Sequence, residues 1–209
     1  MHEKRTADAS TCRSDQAAKE VVEIMSNAGT PESEPIAFQA TLRTVKDTTL
    51  VRLPEDASQQ LPSRGQVAVN GTLQGHPFTT VVEPDGRRGH WIRIEPGLRE
   101  ASGVGTGEGV DLTLEVAEDW PEPDVPEDLA GALGAAPAGI RATWEDITPM
   151  ARWEWVRWVQ ATANPATRER RVEVSLSKME SGKRRPCCFD LASCTDPQLA
   201  RSGKLREPS

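Results

Sequence analysis

The chain has 209 residues, with 25 Lys and Arg against 32 Asp and Glu, a net charge of −7, and 36% hydrophobic residues. That length holds one large or two small domains, and no apolar run approaches the ~20 residues of a membrane span. Residues 148–209 hold 12 basic and 7 acidic side chains, so residues 1–147 carry a net −12; such a balance speaks against general binding to nucleic acid, which needs clustered cations.

Residues 1–35 are polar and are expected to form a mobile N-terminal extension. Ala18, Val21, Val22 and Met25 share one face of a short amphipathic segment capped by Ser14, and 29–35 reads as a linker. MHEKRTADASTCRSDQAAKE lacks the apolar core of a secretory signal, which predicts a cytoplasmic protein with reduced thiols.

From Ile36 the hydrophobic period becomes two, with Phe38, Ala40 and Leu42 alternating with Gln39, Thr41 and Arg43. Lys46-Asp47 is a turn into a return strand over 48–53, and Pro54 opens a short helix. Further strands are predicted over 66–73, 77–82, 90–95 and 109–117, with a helical turn over 97–102. Six short strands with frequent turn signals predict a small closed or partly closed β-barrel over 36–120.

Pro121–Pro126 is an acidic connector. One helix is predicted from Asp124 to about Ala136, and another begins over 137–144. Thr148-Pro149 and Asn164-Pro165 each place a capping side chain before a proline at the first helical position. In the first of these helices Trp155, Trp158, Val159 and Thr162 share one face, and both tryptophans are expected to be buried. In the second, Val172, Leu176 and Met179 repeat the spacing and Gly182 is the stop. The predicted fold class is α+β: a β-barrel, a helical module over 121–186, and a basic tail over 187–209 that contains Cys187, Cys188 and Cys194.

The order GTLQGHPF, HWIRI, GLREASGVGTGEGVDLTLE, VPEDLAGAL, TW-x-x-ITP-x-x-R, TRERRV and SGKRRPCCF resembles the YdeI/OmpD-associated family. Those proteins often join a small β-barrel domain of unknown function to a C-terminal helical segment, and the likeness spans roughly Ile36 to Leu205. The resemblance implies a double-split β-barrel, distantly like the AbrB type, with helices appended. It also implies a role named for bacteriocin protection, with no enzymatic activity attached.

Few side chains point to chemistry. Gly103–Gly109 has the glycines of a phosphate loop, but a strand follows it where a helix would be needed, so it reads as a turn. Cys187, Cys188 and Cys194 lack the spacing of a zinc site, and neither a metal nor a cofactor is expected. Lys183, Arg184 and Arg185 would lower the pKa of the neighbouring thiols. His90, with Trp91, reads as a hydrogen-bonding surface residue at a strand edge. Arg168 and Arg171 share a helix face and, with Lys183, Arg184 and Arg185, form the sharpest polar feature. They are candidates to bind an anionic ligand or an acidic protein partner, or to pair with nearby acids as a solvated face. Arg168 and Arg171 are also placed to dock the helices on the barrel through carboxylates of 115–128 or of its neighbouring strands. The functional reading is a non-enzymatic binding or stress-protection protein; the alternative is an enzyme with its site in the cleft between barrel and helices, using His90 or the arginines.

Overall fold

The computed structural model describes residues 34–186 and 190–207; the expected amphipathic segment, Cys12, Cys187 and Cys188 lie outside them. Strands β1 (Ile36–Thr41), β2 (Arg43–Val45), β3 (Thr48–Arg52), β4 (Val67–Leu73), β5 (His76–Pro84), β6 (His90–Arg93) and β7 (Gly109–Val116) form one antiparallel sheet. Its order is β1-β7-β4-β5-β6-β3-β2. The first predicted strand is divided at Leu42, which is why the sheet has seven strands instead of six. The Leu42 N–H donates to the Glu108 carbonyl at 2.9 Å, and its own carbonyl accepts from Gly107 at 2.8 Å. One bent run therefore pairs with β7 through β1 and with β3 through β2, at opposite ends of the sheet. The sheet is curled into a half-barrel. Period-two alternation turns Val51, Val69, Val82, Ile92, Leu112 and Leu114 into its core. Two short helices, α1 (Glu55–Gln59) and α2 (Pro96–Ser102), lie in its connections, α2 ending on Gly103 at φ +66°.

Four helices follow: α3 (Glu127–Ala135), α4 (Ala138–Asp146), α5 (Pro149–Gln160) and α6 (Pro165–Glu180). Both predicted caps form. Ala151 N–H donates to Thr148 Oγ1 at 3.3 Å, and Thr167 N–H to Asn164 Oδ1 at 3.0 Å. Leu129, Leu133, Ile140, Trp155, Val159, Val172 and Met179 make a second core. Trp155 is fully buried, but Trp158 is half-buried, contrary to expectation. It meets Trp155 edge-on at 6.1 Å, while Arg171 and Lys178 cover its ring at 5.4 and 6.0 Å.

The C-terminal segment is built into the fold. Strands β8 (Ala200–Arg201) and β9 (Lys204–Leu205) form a hairpin. Cys194, Leu199 and Leu205 are buried against Val45, Leu50 and Trp91 on the outer face of the sheet. Gly86, at φ +72°, lets the β5–β6 loop come against the Gly203 backbone so closely that a Cβ would collide with the Gly203 carbonyl.

Candidate functional site

Alternation in β5 and β6 that sends Val82 and Ile92 inward leaves Val81, Glu83, Trp91 and Arg93 on the opposite face. Glu83 and Trp91 are directly paired across the two strands. Over this face lies α5. Its Trp153, Val156, Arg157 and Gln160 recur at i, i+3, i+4 and i+7 and form a second face, which meets at Val156 the face that carries Trp155 into the helical core. Residues Thr195–Gln198 form a third wall. The three enclose a cleft of about 710 Å³, a volume suited to a small organic ligand. A neighbouring hollow of about 500 Å³ shares Thr162, Ala163, Thr195 and Pro197 with it.

Arg157 joins all three walls. Its Nε lies 3.1 Å from the Glu83 carboxylate, and its Nη1 donates to the Leu191 carbonyl at 3.2 Å. Its Nη2 donates to the Ser193 carbonyl. Only 5% of the Arg157 side chain and 20% of Glu83 remain accessible, so the pair is at the cleft floor. Gln66 Nε2 donates to Glu83 at 2.6 Å. Burial raises the Glu83 pKa above its usual range, and the opposing pull of Arg157 and Gln66 does not offset it. At the rim, Arg93 pairs with Asp196 at 2.8 Å and stands 5.9 Å over the Trp91 ring.

Of the residues selected from sequence, Trp91 and Arg168 reach this cleft. Trp91 is buried, and its indole N–H donates to the Pro84 carbonyl at 3.2 Å. Arg168 grips Asp128 with two bonds, at 2.6 and 3.0 Å. This hydrogen-bonded pairing raises the Arg168 pKa and lowers that of Asp128. Asp128 ends the 115–128 stretch in which a partner was expected. It stands in the first turn of α3, however, so the pair closes the helical module on itself and does not dock it to the sheet. Arg171 also fails to dock the sheet: Nη1 donates to the Trp158 carbonyl at 2.7 Å. Arg184 pairs with Asp146, and Arg185 with Glu154, its Nε 2.6 Å away. Lys183 is exposed. The basic run is largely spent in holding residues 183–186 against α4 and α5.

His90 is a correction. It is fully buried and not a surface residue, because β6 is flanked by both β3 and β5 and α1 packs beneath it. Its Nδ1 is 2.7 Å from Ser58 Oγ and its Nε2 3.1 Å from the Gly65 carbonyl. The carbonyl can only accept, so Nε2 carries the proton and Nδ1 accepts from the serine. Burial lowers the His90 pKa. The unfolded chain then binds this proton more readily than the folded one. The His90 contribution is fully present above pH ~6.5 and declines as the pH falls below it. Urea midpoints measured across a pH series should show this slope, and His90→Gln should flatten it; an unchanged slope would assign the effect to another group.

The sequence reading missed Glu83, Arg157, Arg93, Trp153 and Asp196. The signal for Arg157 was present in the second period-3.6 face of α5. Cys194 is buried and free, its thiol pushed up to about 11 by burial. Among the described residues no three His, Cys, Asp or Glu side chains are grouped to hold a metal ion. No helix among them is long and apolar enough to cross a membrane.

Two family models match the chain. Residues 38–114, most of the sheet, match a domain of unknown function, DUF1905. Residues 122–182, the four helices, match the model described as bacteriocin-protection, YdeI or OmpD-associated. No curated protein matches the chain.

Proposed function

We propose, from the premise that this chain belongs to the bacteriocin-protection, YdeI or OmpD-associated family and carries a DUF1905 domain ahead of that module, that it contributes to protection by binding a ligand in the cleft between sheet, α5 and C-terminal hairpin. The observation that carries this reading is the 710 Å³ cleft itself, open to solvent above a buried Glu83–Arg157 floor. Convergent polar groups in a hollow of this size suit either binding or catalysis. Binding is favoured because the arginines of the lining are held in ion pairs: Arg93 by Asp196, Arg157 by Glu83 and Arg168 by Asp128. Its buried carboxyl is already engaged by Arg157 and Gln66. The double-split barrel type belongs to the same proposal, supported by the bend at Leu42 that hands one run from β7 to β3.

The test is to fill the cleft. Gln160 is exposed at the end of α5 and lines the hollow, so Gln160→Trp adds bulk there without disturbing either core. Cells carrying this variant and challenged with a bacteriocin should survive no better than cells lacking the gene, while the purified variant melts like the wild type. Wild-type protection with the cleft filled would overturn the proposal.

A further inference from the structure

We infer that the ligand of this cleft is a small organic cation, an amine or guanidinium carried on an apolar body. The inference rests on the binding reading above and gives that ligand its charge. The seven ionisable side chains of the lining decide the sign. Arg93 is held by Asp196 at 2.8 Å, Arg157 by Glu83 at 3.1 Å, and Arg168 by Asp128 at 2.6 Å. An anion entering the cleft would have to displace one of these carboxylates and leave it beside the newcomer.

Glu95 and Asp124 line the same cleft, and neither has an ion pair or side-chain hydrogen bond among the described residues. Glu95 comes from the sheet side, just after β6, and Asp124 from the connector to the helices. The uncompensated charge of the cleft is therefore negative, and a cation gains from it without breaking an existing pair. Trp153 lies in the same lining. Its indole N–H is satisfied by the Pro121 carbonyl at 2.7 Å, so what it offers a ligand is its ring, whose face attracts cations. The volume and the lack of a metal-ligand group among the described residues favour an organic cation over a bare ion. This sign is opposite to the one suggested by the arginine run in the sequence.

The test uses the full chain and three probes of similar shape: phenethylammonium, phenethyl alcohol and phenylpropionate, titrated calorimetrically at physiological ionic strength. The ammonium should bind roughly tenfold more tightly than the alcohol, a difference of one charge-assisted contact. Glu95→Gln with Asp124→Asn should erase that preference, and both positions are exposed, so the fold survives the change. Preference for phenylpropionate, ammonium affinity unchanged in the double variant, or no binding of any probe would overturn the inference. Gln160→Trp separates this failure from that of the cleft reading. Phenylpropionate binding that is lost in Gln160→Trp leaves the cleft standing with its charge reversed. Binding of any probe that persists in Gln160→Trp removes the cleft itself.

Discussion

Arg157→Ala is expected to destabilise the protein by about 3–5 kcal/mol, the cost of leaving one member of a buried ion pair alone. Glu83 would remain at the cleft floor without its cation, and the carbonyls of Leu191 and Ser193 would lose their donors. Urea denaturation at neutral pH measures the loss. The deficit should shrink in acid. Burial already raises the Glu83 pKa in the folded protein, and removing Arg157 raises it further. A raised carboxyl costs stability as pH climbs from about 4.5 through the folded value, and that cost is absent where the group is protonated in both states. Arg157→Met with Glu83→Leu should recover much of the loss, since an apolar pair of similar volume carries no desolvation penalty. A single-variant loss below ~1 kcal/mol would show that water reaches Glu83 freely and that the pair behaves like one at the surface.

Trp155→Ala should cost a comparable ~3–5 kcal/mol, because it empties a large and fully buried site between α3, α5 and α6. The indole N–H also donates to the Arg184 carbonyl at 3.2 Å, so the change releases the segment after α6. Trp158→Ala should cost clearly less. Its ring is half-buried and covered on the open side by Arg171 and Lys178, whose stems can settle into part of the space. Thermal melts of the two variants side by side decide this, and equal losses would mean that the two tryptophans share one site.

Local chemistry made much of the fold legible. Alternation located the strands, and the Thr148-Pro149 and Asn164-Pro165 starts located α5 and α6 closely, because caps and periods are properties of neighbours in sequence. What remained hidden depends on distant partners. The arginine run looked available because Asp128 is 40 residues from Arg168 and Glu154 is 31 from Arg185. His90 looked exposed because its burial is imposed by strands on either side and by Ser58, 32 residues away. The C-terminal hairpin escaped notice because its strands are two residues each, too short to show a period. The cleft needed all three segments at once. Its sheet wall showed only as the polar side of an ordinary alternation, and its α5 wall, Trp153, Val156, Arg157 and Gln160, was obscured by the Trp155 face.

The run that bends at Leu42 has a consequence for how the sheet is made. β1 finds its partner in β7, with Gln39 bonded to Asp111 across 72 residues. The β4–β5 pair is joined by the two-residue turn Gln74-Gly75 and can close as soon as it is synthesised. High sequence separation slows pairing, because the loop must be closed before the contact rewards it. At ordinary ribosomal speeds β1 emerges roughly 4 to 14 seconds before its partner. For that interval β1 is without its β7 partner, while the locally joined β4–β5 pair has its whole contact surface available.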